Sequence, residues 1–231
     1  MRINKYLALC GLGSRRKVEE LVTSGKVSVN GNRTTNLATD IKASDKVYFE
    51  SKLLSPKNFA YFLLNKPVGY TSTTDDPHSE KNVVDLVPSD PAVFPVGRLD
   101  KDSEGLIILT NDGDFAQKLS HPSCDHEKEY IVEAEGPKSD LNSHLDKAIR
   151  LFKCGLLING YKTRPAQARV LAKKGSMITF NVVLKEGRKR QIRITLDRAG
   201  FTVVKLKRIR IGQWQLNNLE SGKFVEFSPK I

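Results

Sequence analysis

Cysteines, long apolar runs and glycine-rich phosphate-binding loops are scarce or absent in this 231-residue chain. The three cysteines, Cys10, Cys124 and Cys154, are odd in number and scattered, which favours a reducing compartment over a disulfide framework. No run approaches the roughly 18 apolar residues of a membrane-spanning helix, and the N-terminal residues lack the apolar core of a signal peptide. We therefore expect a cytoplasmic protein without a membrane segment. The missing dinucleotide and P-loop motifs give no support to a nicotinamide enzyme or an ATPase.

Charge is unevenly distributed along the chain, whose net charge is +12. Residues 1–58 hold 11 basic and 5 acidic side chains, residues 59–158 hold 10 and 17, and residues 159–231 hold 17 and 4. Two basic segments flank an acidic one. This arrangement favours a protein that holds a polyanion from two sides over a protein whose surface is uniformly basic.

The first basic segment has the pattern of a small α/β module. Apolar residues at helical spacing predict a helix over 3–10, and Ser14 is placed to cap a second helix over 15–23. The alternating residues that follow end in Asn30-Gly31, a typical hairpin turn. The first turn of the second helix offers free backbone N–H groups to phosphate, and it carries three basic side chains: Arg15, Arg16 and Lys17.

A polar, proline-broken segment at 51–58 predicts a linker, so we expect a domain over 1–55 and another over 59–231. The larger part mixes strands and helices without a regular βαβ repeat, which favours an α+β fold with a mixed, mostly antiparallel sheet and flanking helices. Predicted strands cover 59–64, 105–110, 129–133, 168–172, 177–184 and 201–206. Predicted helices cover 115–119, 140–151 and 188–199.

The most informative segment is GRLDKDSEGL, residues 97–106, which sets Asp100 just after an apolar residue and just before a buried strand. A calcium loop is a poor alternative, because position 12 would be Asn111 where a bidentate glutamate is needed. A zinc site at His121, Cys124 and His126 lacks a fourth ligand, so we expect no metal.

Four motifs resemble the RsuA-like family of ribosomal RNA pseudouridine synthases. They are LNKPVGYTST at 64–73, GRLDKDSEGL at 97–106, KEY at 128–130 and EGRKRQIR at 186–193. The order SRRKVEELVTSGKVSVNG at 14–31 resembles the compact RNA-binding domain shared by a small-subunit ribosomal protein and tyrosyl-tRNA synthetases. Together these resemblances cover nearly the whole chain, although Ile194 and Thr195 replace a second arginine and a methionine found in many relatives.

The resemblance implies a role for each motif residue. Asp100 is implied to be the catalytic carboxylate, Tyr130 to lie against the target base, and Arg193 to pair with Asp100 and orient it. Lys66 is implied to be either structural or a phosphate contact, and the two alternatives stay open here. The residues expected to contact RNA are Arg15, Arg16, Lys17, Lys66, Arg98, Arg188 and Arg190.

The resemblance implies cofactor-free isomerisation of a uridine to pseudouridine in ribosomal RNA or a pre-ribosomal particle, by a monomer. Similarity of the 97–106 and 125–130 segments leans towards the large subunit. The alternative is a non-catalytic RNA-binding or ribosome-assembly protein, against which the combination of Asp100, Tyr130 and Arg193 argues.

Overall fold

The computed structural model describes residues 1–74, 81–121 and 125–229. The chain divides into two compact units: Met1–Ala60 with Ser89–Val93, and Tyr61–Pro88 with Phe94–Ile231. The sequence did not predict that 89–93 would join the first unit, where Asp90 forms an ion pair with Lys57. In the part of the chain that the structure describes, no helix is long and apolar enough to cross a membrane.

The first unit combines two helices with a four-stranded antiparallel sheet in the order β2-β1-β3-β4. Ser14 caps the second helix, as predicted, by accepting a hydrogen bond from the Lys17 backbone N–H at 3.3 Å. Asn30 and Gly31 have φ angles of 51° and 84°, as their hairpin turn requires. The elements are α1 Ile3–Leu9, α2 Arg15–Thr23, β1 Val27–Val29, β2 Asn32–Arg33, β3 Val47–Phe49 and β4 Lys52–Leu53.

The second unit is built on a large mixed sheet, which confirms the predicted α+β class. Its strands follow the order β11-β12-β8-β13-β7-β5-β15, with β14 paired to β13 and β6 to β7, and the pairing of β7 with β13 is parallel while the others are antiparallel. The strands are β5 Tyr61–Lys66, β6 Phe94–Val96, β7 Glu104–Thr110, β8 Lys128–Glu135, β9 Leu157–Ile158, β10 Tyr161–Lys162, β11 Gln167–Lys174, β12 Met177–Leu184, β13 Thr202–Ile211, β14 Trp214–Gln215 and β15 Phe224–Glu226. The helices are α3 Gly113–Ser120, α4 Leu141–Cys154 and α5 Gln191–Arg198, with a 3-10 turn at Val83–Leu86.

Strand β7 runs through the centre of the sheet, where its Leu106, Ile107, Ile108 and Leu109 side chains have no exposed surface. This continuous apolar run is typical of a strand that is covered on both faces. The loop that carries Asp100 leads directly into β7, so the candidate carboxylate sits at the start of the most buried strand.

Helix α5 begins three residues later than predicted. Arg190 has a φ of 55°, outside the helical region, and the preceding residues form a turn in which the Gln191 N–H donates to the Arg188 carbonyl at 3.2 Å. Strand β13 extends to Ile211, beyond the predicted end at 206. Its buried positions in this stretch are Leu206, Arg208 and Ile211, so the strand continues through a buried arginine.

Candidate active site

The backbone of the Asp100 loop is fixed by the LNKPVGYTST motif. The Ser72 hydroxyl accepts a hydrogen bond from the Leu99 N–H at 3.1 Å and donates to the Leu99 carbonyl at 2.9 Å. The Gly69 N–H donates to the Lys101 carbonyl at 2.8 Å. The backbone on both sides of Asp100 is therefore held by hydrogen bonds from this motif.

Lys66 holds the end of the same loop. Its side chain is fully buried, and its ammonium donates to the backbone carbonyls of Ser103 at 2.6 Å and Pro67 at 2.9 Å. Burial lowers the pKa of Lys66 to about 8, although the negative charges of Asp102 and Asp100 oppose that shift. Complete burial and two backbone partners favour the structural alternative for Lys66, and its contact with RNA stays a prediction.

The close approach of β7 and β13 depends on Gly105, the glycine of the GRLDKDSEGL motif. Gly105 pairs with Arg208 across the parallel strands and has a φ of 106°. A Cβ atom at this position would overlap the Arg208 backbone oxygen and lie 2.6 Å from its backbone nitrogen. The motif glycine thus allows β13 to contact the strand that follows Asp100.

Tyr130 and Arg208 lie side by side on the sheet. They are directly paired between β8 and β13, so their side chains project from the same face. Tyr130 is buried and makes no side-chain hydrogen bond within the described residues. Arg208 is also buried; its Nε donates to the Leu106 carbonyl at 2.7 Å, and its Nη2 has no partner among the described residues.

Arg193 pairs with Asp102 and not with Asp100. Its Nη2 lies 3.1 Å from Asp102 Oδ2 and donates to the Asp102 carbonyl at 3.1 Å, while Arg190 Nη1 lies 3.5 Å from the same carboxylate oxygen. The Asp100 carboxylate has no ion pair or hydrogen bond within the described residues. The predicted Asp100–Arg193 pair is therefore wrong for this structure. Residues 100–103 form a turn, in which the Ser103 N–H donates to the Asp100 carbonyl, and this turn brings Asp102 rather than Asp100 to α5.

Asp100 and Tyr130 line one cleft of about 660 Å³, a volume that suits a small organic ligand such as a nucleotide. Among the described residues, its lining holds two carboxylates, Asp100 and Glu186, and a larger number of basic side chains. The basic residues are Arg98, Lys128, Arg164, Lys185, Arg188, Lys189, Arg190 and Arg208. A cleft with this excess of positive charge attracts a polyanion and concentrates it near Asp100.

Comparison with known proteins identifies the chain. Residues 60–198 match the family model described as RNA pseudouridylate synthase. The chain belongs to the RNA pseudouridine synthase family. Residues 1–47 match the S4 domain, which corresponds to the N-terminal RNA-binding domain that the sequence resembled.

Individual relatives of the synthase support the same assignment. The chain is 38% identical to the ribosomal large subunit pseudouridine synthase B of Bacillus subtilis (strain 168), covering 99% of this chain and 92% of the relative. It is 37% identical to the dual-specificity RNA pseudouridine synthase RluF of Escherichia coli (strain K12), covering 99% and 76%. A solved structure described as a pseudouridylate synthase is 28% identical with a TM-score of 0.67, covering 99% of this chain and 96% of that one.

The remaining predicted RNA contacts of the synthase fall into two groups. Arg98, Arg188 and Arg190 line the cleft around Asp100. The other three lie in the first turn of α2, where their side chains are exposed to solvent: Arg15, Arg16 and Lys17. Both positions leave the guanidinium and ammonium groups accessible, so their contact with RNA stays a prediction.

Sequence reasoning did not single out several residues of the synthase cleft. Lys128 belongs to the KEY motif, yet only Tyr130 was selected from it; its ammonium donates to the His126 carbonyl at 3.3 Å, and burial lowers its pKa, with the nearby Arg208 adding to the effect. Arg208 was not selected because the sequence of its strand holds several lysines and arginines that look alike.

The zinc alternative involves Cys124, which lies outside the described residues. Within 1–74, 81–121 and 125–229, no cluster of three metal-ligating side chains occurs.

Proposed function

We propose that this synthase converts a uridine of large-subunit ribosomal RNA to pseudouridine, with Asp100 as the group that acts on the ribose. One observation carries the assignment of Asp100. Of the two carboxylates that line the cleft among the described residues, Glu186 accepts hydrogen bonds from the Arg164 backbone N–H at 2.8 Å and the Gln191 amide at 2.9 Å. Asp100 has no such partner within the described residues and remains available to a substrate.

The reaction is a rearrangement within one nucleotide. The bond between N1 and C1′ breaks, the uracil turns, and C5 joins C1′, while C5 loses a proton and N1 gains one. Asp100 either attacks C1′ or removes the C2′ proton to give a glycal. In both routes a carboxylate faces a ribose that develops positive charge, where a fixed negative charge stabilises the transition state.

Tyr130 provides the surface for the uracil ring. The target base of a structured RNA has to leave its stack to reach a carboxylate inside a cleft, and enzymes that act on bases commonly receive them between aromatic and apolar side chains. Tyr130 lines the same cleft as Asp100, and its strand is paired on both sides, with β12 and with β13. A ring held in this way can stack on the base through both its rotation and its rejoining.

Arg193 contributes to this reaction as a positioning residue. Its guanidinium bridges the Asp102 carboxylate and carbonyl, and it also donates to the Val203 carbonyl at 3.3 Å. It thus connects the Asp100 loop, the start of α5 and strand β13. Movement of Arg193 would alter the direction of Asp100 without any contact between the two side chains.

The N-terminal unit provides a second contact with the RNA. Its family match is the S4 domain, and its exposed basic residues lie at the start of α2, where the helix N-terminus favours phosphate. We place the reaction in the cytoplasm, since ribosomal RNA is its substrate and Cys10 and Cys154 are free thiols.

Pseudouridine mapping across total RNA tests the proposed function. Cells lacking the gene should lose pseudouridine at one or a few large-subunit positions, and the wild-type gene should restore it while an Asp100→Asn gene should not. If the same positions remained modified in the deletion strain, the proposal would be wrong. A non-catalytic assembly protein would instead give ribosome defects that the Asp100→Asn gene corrects.

A further inference from the structure

A short hairpin forms one rim of the cleft. Within the described residues, strands β9 and β10 pair only with each other, and they are joined by Asn159 and Gly160, which have φ angles of 50° and 79°. The base of the hairpin is closed by Thr163, whose N–H donates to the Leu156 carbonyl at 2.9 Å and whose hydroxyl accepts from the Leu156 N–H at 2.8 Å. The hairpin is therefore a fixed projection and not a loose loop.

Glu186 ties this hairpin to the start of α5. Its side chain is largely buried, and one of its oxygens accepts from both the Arg164 N–H, just after the hairpin, and the Gln191 amide, at the first residue of α5. Because one carboxylate holds both segments, the surface between them has a defined geometry.

An aromatic ring and a guanidinium are stacked on that surface. The Arg188 guanidinium carbon lies 3.5 Å from the centroid of the Tyr161 ring, and both residues line the cleft. Tyr161 is nevertheless 39% exposed. The hairpin is already fixed by Thr163 and Glu186, so this stack is not required to hold the rim together.

We propose that Tyr161 and Arg188 form a stacking site for a nucleobase next to the target uridine. Aromatic rings and guanidinium planes are the groups on which unpaired bases stack, and every base has a face to offer. The occupant is a nucleotide outside a helix, because stacking on its neighbours within a helix would cover that face. This inference rests on the proposed function and assigns Tyr161 to RNA positioning, with no part in the chemistry that involves Asp100 and Tyr130.

Single-turnover kinetics test the site, with enzyme in excess over an unmodified large-subunit RNA transcript that carries tritium at C5 of uridine. Tyr161→Leu should raise the half-saturating enzyme concentration about tenfold, the effect expected when one base no longer stacks on a ring. The limiting rate should change less than about twofold, because the reacting groups are untouched. Tyr161→Phe should behave as wild type in both measurements. Leu157→Ala, in the same hairpin but outside the cleft lining, is the matched control.

An RNA variant locates the partner of the ring. Once the modified uridine is mapped, each flanking base is removed in turn to leave an abasic site. Wild-type enzyme should bind one of these RNAs about tenfold more weakly, and Tyr161→Leu should bind that RNA and the intact RNA equally well. If Tyr161→Leu lost as much affinity as wild type at every abasic position, the effects of the protein and RNA changes would simply add. That result would show that no base stacks on Tyr161.

Two further results would overturn the proposal. One is an unchanged half-saturating concentration for Tyr161→Leu; the other is a phenylalanine variant as weak as the leucine variant, which would show that the hydroxyl matters more than the ring. Failure of the proposed function looks different, since wild-type enzyme would then release no tritium. An equilibrium titration of the same transcript would still report on the stacking site in that case.

Discussion

Arg193 forms an ion pair with the Asp102 carboxylate and donates to the Asp102 backbone carbonyl, each at 3.1 Å. The arginine of the EGRKRQIR motif therefore holds the residue two positions after Asp100 and leaves Asp100 itself unpaired within the described residues. Asp102 does not line the cleft, so a role for it in the proposed reaction would act through Arg193 on the position of Asp100.

A double-mutant cycle tests this arrangement. Asp102→Asn and Arg193→Met should each lower kcat by about 10- to 100-fold, because a carboxylate displaced by about 1 Å reacts far more slowly. The double variant should be no slower than the slower single variant, since both changes break one connection. If Arg193 instead acted directly on Asp100, Arg193→Met would abolish turnover while Asp102→Asn had little effect.

Asp100→Asn should yield no detectable pseudouridine and retain RNA affinity. The amide is nearly the same size as the carboxylate but is neither a nucleophile nor a base. Tritium release from C5-labelled transcript measures turnover, and a binding titration measures affinity. Asp197→Asn, an exposed change of the same kind in α5, should keep full activity. Substantial turnover by a folded Asp100→Asn protein would refute the assignment.

Tyr130 should act through its ring more than through its hydroxyl. The hydroxyl has no hydrogen-bond partner in the described part of the chain, whereas a stacked base gains roughly 1–3 kcal/mol from an aromatic face. Tyr130→Leu should therefore lose much more single-turnover activity than Tyr130→Phe. Equal loss in the two variants would identify the phenol as a proton-transfer group.

Lys66 should give the protein a pH-dependent stability. Its pKa is about 8 in the folded protein and near 10.5 when the chain is unfolded, so between these values the unfolded chain binds more protons. The free energy of unfolding of wild type should therefore rise with pH from about 8 to about 10.5, relative to a Lys66→Met variant that lacks this titration. Denaturant titrations of both proteins at several pH values measure the difference. A constant difference across this range would contradict the lowered pKa.

The basic start of α2 should set part of the salt dependence of RNA binding. Replacing its three exposed cations, Arg15, Arg16 and Lys17, with glutamine should weaken binding and reduce the slope of log affinity against log salt by about 0.7–0.9 for each phosphate that is no longer neutralised. The matched control replaces three other exposed lysines of the same unit: Lys42, Lys46 and Lys52. Equal slopes for the two triple variants would show that α2 is not a preferred RNA-binding surface.

Local patterns predicted much of this protein because its elements are set by nearby residues. The cap at Ser14, the Asn30-Gly31 turn and the apolar run of β7 depend on short-range chemistry, and each was correctly predicted. The motifs likewise indicated that Asp100 and Tyr130 belong together, and both line the same cleft.

Partners between distant segments could not be read from the sequence. Arg193 pairs with Asp102 and not with Asp100 because of the way the 100–103 turn meets α5. Lys66 is buried by strands that lie far apart in the chain. A lysine in a motif looks the same whether its ammonium faces phosphate or a backbone carbonyl. Only the folded arrangement separates the two.

The sheet consists of two halves that are joined by the short parallel pairing of β7 with β13. Strands β5 and β7 lie on one side and β8 and β12 on the other, and β7 meets β13 through only two residue pairs, Glu104 with Lys207 and Gly105 with Arg208. Asp100 enters the cleft from the first half and Tyr130 from the second. Gly105 lies where the two halves meet, so a single added methyl group there would force the β7 and β13 backbones apart while leaving Asp100 and Tyr130 chemically intact.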